Sequence, residues 1–108
     1  MQQLSLECSS VKITLDAIGG KWKTLILFLL ADNVLRFNQL QKGISGITQK
    51  MLAQQLRELE HDGLVKRKVY PVVPPKVEYS ITSYGKTLVP ILTSMDMWGR
   101  NHRKKKIV

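Results

Sequence analysis

Basic and amide side chains repeat at helical spacing in residues 48–62. Lys50, Gln54 and Arg57 stand at i, i+4 and i+7, with Ala53 between them, so a helix would place all four on one face. In the major groove of DNA, arginine and lysine pair with guanine, and glutamine pairs with adenine. This face has no acidic residue, and we expect it to contact DNA bases. The same pattern also fits an ordinary solvated side of an amphipathic helix.

The beginning of this helix offers a second kind of contact. Thr48 is a favourable N-cap residue, and Gln49 follows it at the first helical position. Unpaired backbone N–H groups at a helix start, together with the helix dipole, attract a phosphate group. The predicted contacts of the recognition helix are therefore Thr48, Gln49, Lys50, Gln54 and Arg57.

A cationic hairpin is predicted directly after this helix. Val77, Tyr79 and Ile81 alternate with polar residues, which is the strand pattern, and residues 64–70 have the composition of a strand. The proline-rich residues 71–75 form the turn between them. Positive side chains on a projecting hairpin suit phosphate contacts, and they also suit a sheet edge that is protected from aggregation. The predicted wing contacts are Lys66, Arg67, Lys68 and Lys76.

These segments belong to a longer series of predicted elements. Apolar residues at helical spacing predict helices near residues 11–18, 21–31, 38–42 and 48–62. After the hairpin, a final helix opens at Thr82 or Ser83, and we expect a kink in it at Pro90. This order is that of a mainly α winged helix-turn-helix with a small β-hairpin wing. We assign residues 1–102 to this single domain and expect the basic tail, residues 103–108, to be disordered.

Three stretches of the sequence carry a family resemblance. The first, Ile18-Gly19-Gly20-Lys21-Trp22, stands where the second helix begins. The others are Met51–Glu60, which is followed by Asp62–Val65, and Val73–Thr82. In this order they are similar to hallmarks of the HxlR family of bacterial and archaeal regulators, and the resemblance extends from Cys8 to His102.

The resemblance implies a winged-helix regulator with an architecture like that of MarR proteins. It implies a homodimer that represses transcription by binding double-stranded DNA at an inverted repeat, with half-sites about one helical turn apart. The first and last helices form the dimer interface in this family, and the last helix here has a long apolar stripe. The corresponding residues are Val11, Leu15, Ile18, Leu88, Ile91, Leu92, Met95 and Trp98.

Cys8, the one cysteine of the sequence, stands just before the first helix. In several HxlR-type regulators a cysteine at this position senses electrophiles or oxidants, so the resemblance implies a thiol-reactive effector. A thiol near a helix N-terminus is biased towards thiolate by the helix dipole. Glu7 acts in the opposite direction, and an inert cysteine packed at the interface is the alternative.

Composition and charge restrict the function classes. Lysine and arginine number 17 against 8 acidic residues, and the formal net charge of +9 favours a polyanionic partner. His61 and His102 form no readable catalytic group, and one cysteine cannot build a metal cluster, so we expect no enzyme activity, metal or cofactor. The longest apolar run, residues 25–31, is too short to cross a bilayer. We therefore expect no membrane association and a cytoplasmic location.

Two other functions fit the same fold. A winged helix can bind RNA or protein without reading a DNA groove, in which case alanine changes at Lys50, Gln54 and Arg57 would leave binding intact. A regulator can also respond to a small molecule held in a cleft between the dimerisation helices and the winged core. Four aromatic residues are candidates for lining such a cleft, although aromatic residues at these positions are more often plain core: Trp22, Phe28, Tyr84 and Trp98.

Overall fold

The computed structural model describes residues 9–107, which form five α-helices and one antiparallel hairpin. The helices are α1 (Ser10–Ile18), α2 (Lys23–Leu30), α3 (Phe37–Gly43), α4 (Gln49–His61) and α5 (Val89–Ile107). Strands β1 (Val65–Tyr70) and β2 (Lys76–Ile81) form the hairpin, and a 3₁₀ turn spans Gly85–Leu88. This order confirms the predicted winged helix-turn-helix fold.

Helix α2 lies at the centre of the core. Its Ile26 and Leu27 are completely buried, and they belong to one cluster with Leu40 of α3 and Leu52 of α4. Full burial of a side chain of this size stabilises the fold by about 1.5–3 kcal/mol relative to exposure. The cluster holds α3 and α4 against α2, and it thereby fixes the orientation of the exposed side of α4.

The turn between α3 and α4 is anchored on both sides. Ile44 and Ile47 are buried at its two ends. Gly46 between them has a φ of 87°, a left-handed conformation that glycine adopts because it has no Cβ. The turn is therefore tight, and α3 and α4 form a helix-turn-helix.

The hairpin is joined to the segment that leads into α3. Strands β1 and β2 are paired with Val65 opposite Ile81 and Tyr70 opposite Lys76. Leu35 adds an isolated bridge to β2. Its N–H donates to the Tyr79 carbonyl at 3.0 Å, and the Tyr79 N–H donates to the Leu35 carbonyl at 2.8 Å. These two bonds tie the base of the wing to the chain just before the helix-turn-helix.

Thr82 opens the last helical segment, as predicted, but this segment begins as the 3₁₀ turn and becomes α5 later. The Thr82 hydroxyl accepts from the Gly85 N–H at 2.9 Å, which caps the 3₁₀ turn, and donates to the Gly63 carbonyl at 2.6 Å. Helix α5 begins only at Val89, so Pro90 lies in its first turn. A proline is tolerated there because the first N–H groups of a helix have no partner within it. Pro90 therefore lies at the start of α5, and not at a kink inside a longer helix as we expected.

The basic tail also differs from the expectation. Helix α5 continues to Ile107, so residues 103–107 are helical rather than disordered. Lysine and arginine are good helix formers, and positive charge near a helix C-terminus interacts favourably with the helix dipole. Arg103, Lys104 and Lys105 lie in this last part of the helix, and their side chains are exposed.

Candidate nucleic-acid interface

The predicted contact face of α4 is accessible. All five of its residues are exposed, while the leucines on the opposite side of the helix are buried in the core. Helix α4 has 13 residues and is about 20 Å long, which is enough to lie in a major groove. The exposed contact residues are Thr48, Gln49, Lys50, Gln54 and Arg57.

Thr48 is the N-cap of α4, as predicted, because its hydroxyl accepts from the Met51 N–H at 3.1 Å. Replacing Thr48 with alanine removes this acceptor and is expected to lower the free energy of unfolding by about 1 kcal/mol. Urea unfolding of the purified variant measures the change. Thr48→Ser keeps a hydroxyl and is the matched control; equal stability of the two variants would contradict the role of the cap.

An acidic residue lies next to the contact face. Glu58 Oε2 is 3.3 Å from Gln54 Nε2, one helical turn earlier. Its other oxygen, Oε1, lies 2.7 Å from Lys23 Nζ at the start of α2. The hydrogen bond from Lys23, and then that from Gln54, lowers the pKa of Glu58 below its ordinary value. No sequence pattern identifies Lys23 or Glu58 as a residue of the site. The one available signal for Lys23 is that α2 is otherwise mostly apolar.

The hairpin register divides the predicted wing cations between two faces. Successive strand residues point to opposite sides of a sheet. Lys66, Lys68 and Lys76 therefore share one face, which we call the outer face of the wing. Arg67 lies on the other face, in a cleft against α4 that Arg57 also lines. The structure thus brings Arg67 to the recognition helix and leaves the three lysines together on the outer face.

Tyr70 organises the outer face of the wing. The ammonium groups of Lys68 and Lys76 lie 4.9 and 4.8 Å from the centre of its ring, within the range of cation–π attraction. A hydrogen bond from the Tyr70 hydroxyl lowers the pKa of Glu78, and the charge of Lys76 lowers it further. Lys76 is 3.6 Å from this carboxylate and is partly neutralised by it. Lys66 and Lys68 are therefore the outer-face lysines best placed to meet a phosphate.

Arg36 is a cation near the wing that the sequence patterns do not single out. It stands immediately before α3, next to the bridge between Leu35 and Tyr79, and its side chain is exposed. Its charge also lowers the pKa of Glu78 on β2. Backbone pairing between distant positions brings Arg36 to the wing, and no local pattern encodes such pairing. Arg36 is therefore a further cation available for phosphate contact.

Removing an outer-face lysine should weaken the salt dependence of DNA binding. Each phosphate contact contributes about 0.9 to the slope of log K against log salt concentration. Lys66→Ala and Lys68→Ala should therefore each reduce the slope by about 1 for every copy of the lysine that meets DNA. Fluorescence anisotropy titrations at several salt concentrations measure the slope. Lys86→Ala, in the 3₁₀ turn, is the control, and wild-type slopes in both wing variants would count against wing contact.

The predicted dimer residues fall into two groups. Ile18 and Leu92 are 4% and 3% exposed, so they are core residues, and their assignment to the interface is corrected. Some residues of one apolar stripe can be buried in the core while others are exposed at an interface. Helical spacing alone does not distinguish these two groups of residues. Leu88 is half-buried. The exposed members are Val11, Leu15, Ile91, Met95 and Trp98.

Further apolar side chains are exposed on the same two helices. Ile13 on α1 and Met97 on α5 are both exposed. Leu25 and Phe28 of α2 line a groove against α5, and Met95 lines its other side. A large exposed apolar area is unusual for a monomer and marks an interaction surface.

The four aromatic residues expected around a ligand cleft do not come together. Trp22 is buried in the core. Phe28 lines the groove between α2 and α5, whereas Tyr84 lines a separate groove against α1. Trp98 is 67% exposed and stacks on His102 with 4.7 Å between the ring centres. The described residues of one chain therefore form no single aromatic-lined cleft, and Trp22 is plain core.

Cys8, the predicted sensor, lies outside the described residues. Within the part of the chain that the structure describes, no three histidine, cysteine, aspartate or glutamate side chains are grouped to hold a metal ion. None of the helices in that part combines the length and the apolar character needed to cross a membrane.

A helix-turn-helix whose second helix exposes a polar face beside a cationic hairpin defines a winged helix-turn-helix regulator. The model of the HxlR-like helix-turn-helix family matches residues 17–107. The chain belongs to this family, which confirms the resemblance found in the sequence. Its relatives are described as transcriptional regulators, so the protein is a DNA-binding regulator rather than an enzyme.

Individual relatives and solved structures agree with this family. The chain is 52% identical over 95 residues to the uncharacterised HTH-type transcriptional regulator YdeP of Bacillus subtilis, covering 88% of this chain and 74% of the relative. It is 59% identical over 87 residues to the uncharacterised regulator BH0655 of Halalkalibacterium halodurans, covering 80% and 77%. The redox regulator HypR in its reduced form matches with a TM-score of 0.85 at 53% identity, covering 88% of this chain and 94% of that one.

Proposed function

We propose that the protein is a sequence-specific repressor that binds an inverted-repeat operator as a homodimer. The observation that carries this proposal is the exposed face of α4, where Lys50, Gln54 and Arg57 project beside the cationic wing. Such a face supplies base contacts in the major groove, and the wing supplies phosphate contacts. Double-stranded DNA is therefore the proposed partner.

The apolar surface of α1 and α5 supports the homodimer. Val11, Leu15, Met95 and Trp98 each have at least half of their surface exposed. A second copy of the chain would cover these side chains. To read successive turns of DNA, the two α4 helices of such a dimer would have to lie about 34 Å apart. An inverted repeat is the operator that matches this symmetry.

Repression is the mode of action that the family resemblance implies. A dimer bound upstream of a gene occupies DNA that the transcription machinery needs. We place the target at the protein's own gene or a neighbouring one, and the protein in the cytoplasm, on the nucleoid when it is bound.

Binding of the purified protein to DNA from upstream of its own and neighbouring genes tests this function. The fragments are titrated at two salt concentrations with excess competitor DNA, and analytical ultracentrifugation gives the number of chains on each fragment. The expected result is tight binding to one fragment that survives the competitor, with two chains per site. Binding that is equal on all fragments and collapses as salt rises would contradict the proposal, because any basic protein attracts a polyanion.

We further propose that a thiol-reactive electrophile or oxidant regulates DNA binding through Cys8. The support is the position of Cys8 before α1 in the sequence, together with the likeness to HypR, a redox regulator solved in oxidised and reduced forms. Treatment with diamide or a quinone should weaken binding of the wild type to its operator and leave Cys8→Ser unaffected. If the treated wild type binds its operator with unchanged affinity, the proposal is contradicted.

A further inference from the structure

Lys23 is a buried cation at the start of α2. Its side chain is 10% exposed, and its ammonium lies 2.7 Å from Glu58 Oε1. A buried charge without a partner is costly, so the ammonium strongly favours one position of the carboxylate. Because α2 is packed at the centre of the core, Glu58 is held relative to the core and not only to its own helix.

Glu58 connects this buried lysine to the contact face of α4. Its second oxygen accepts from Gln54 Nε2 at 3.3 Å. An ionised carboxylate can only accept hydrogen bonds, so it attracts the amide nitrogen of Gln54 and repels the carbonyl oxygen. The contact therefore determines which way the Gln54 amide faces.

The reading edge of Gln54 depends on which of its two N–H bonds donates to Glu58. A primary amide has two N–H bonds, one on the side of its carbonyl and one on the opposite side. Adenine is read by the carbonyl oxygen together with one N–H, which meet N6 and N7 of the base. When the opposite N–H points to Glu58, the edge that reads adenine stays available. Its arrangement is then set before DNA arrives, which reduces the ordering that binding must impose.

We propose that Glu58, clamped by Lys23, is a positioning residue that sets the base preference of Gln54. The inference rests on the proposed function, since it requires Gln54 to contact a base of duplex DNA. One fixed amide orientation favours adenine over bases with a different pattern of donors and acceptors. The effect is confined to one base position in each half-site and leaves the phosphate contacts of the wing unchanged.

Selection from randomised duplex DNA, followed by competition between the selected duplexes, measures this preference. Glu58→Gln should lower discrimination at the position that Gln54 reads by about fivefold, the low end of the effect of one bidentate contact. Gln54→Ala should lose discrimination at the same position, and the double variant should lose no more than Gln54→Ala alone. Lys23→Met removes the ammonium, keeps a chain of similar length, and should act in the same direction as Glu58→Gln.

Glu60→Gln is the matched control, because it removes the same charge from α4 on the side of the cleft with Arg67, away from Gln54 and Lys23. Thermal melting checks that each variant is folded, and the salt slope reports phosphate contacts that a positioning role leaves unchanged. A wild-type base preference in both Glu58→Gln and Lys23→Met, or an equal loss in Glu60→Gln, would overturn the inference. If the wild type itself selects no sequence, the proposed function fails, and the inference fails with it.

Discussion

An alanine in place of Gly85 is expected to lower the free energy of unfolding by about 3 kcal/mol. A Cβ at this position would overlap the Leu64 carbonyl oxygen and stand 2.7 Å from Ile81 Cγ1. The Leu64 carbonyl also accepts from the Thr82 N–H at 3.0 Å, so it cannot move without disturbing the base of the hairpin. The 3₁₀ turn and α5 would therefore be pushed away from the wing.

Urea unfolding followed by circular dichroism, at one fixed protein concentration, measures this effect. Gly99→Ala is the matched control, because a Cβ there meets nothing within 4 Å and the residue lies inside α5. In a helix interior the same change is expected to raise stability by about 0.5–1 kcal/mol. Equal stabilities of the two variants would mean that the contact between Gly85 and Leu64 is not tight.

Simultaneous replacement of Lys50, Gln54 and Arg57 by alanine is expected to reduce affinity for the operator by at least about 100-fold. Each good bidentate contact to a base contributes about 1–3 kcal/mol of discrimination, and a homodimer makes each contact twice. All three side chains are exposed, so the free energy of unfolding should change little. The loss of affinity would then report DNA contacts rather than unfolding.

The combined change of Asn101, Lys104 and Lys105 to alanine is the matched control for this triple variant. It also removes two cations and one amide, in this case from the exposed surface of α5. Competition titrations on the selected duplex should show a modest, salt-dependent loss for the control and a loss at every salt concentration for the α4 variant. Equal losses would contradict base reading by α4 and would favour a winged helix that binds RNA or protein.

The elements that the sequence predicts well depend on patterns of a few residues. Thr48 and Gly63 mark the two ends of one predicted helix, and α4 lies between them. The change from helical spacing to alternation locates β2 in the same way. The motifs of the HxlR resemblance also indicate the family correctly.

The parts that could not be predicted depend on contacts between distant positions. Leu92 and Met95 continue one apolar stripe, but only Leu92 is buried, because burial is decided by the helices around α5. Lys23 and Glu58 are far apart in the chain, and nothing local to either residue indicates their ion pair. The contacts with DNA, the homodimer and the role of Cys8 remain predictions for the experiments above.

The two backbone hydrogen bonds between Leu35 and Tyr79 tie the wing to the chain just before α3, and the buried core cluster holds α3 and α4 together. Backbone bonds do not depend on which side chains are present. Substitutions on the surface of α4 can therefore change the bases that are read while the distance to the phosphates under the wing stays constant. After a gene duplication, the operators of the two copies can diverge one base pair at a time. The length of DNA that each protein covers stays the same. New regulatory circuits can then arise by point mutation alone.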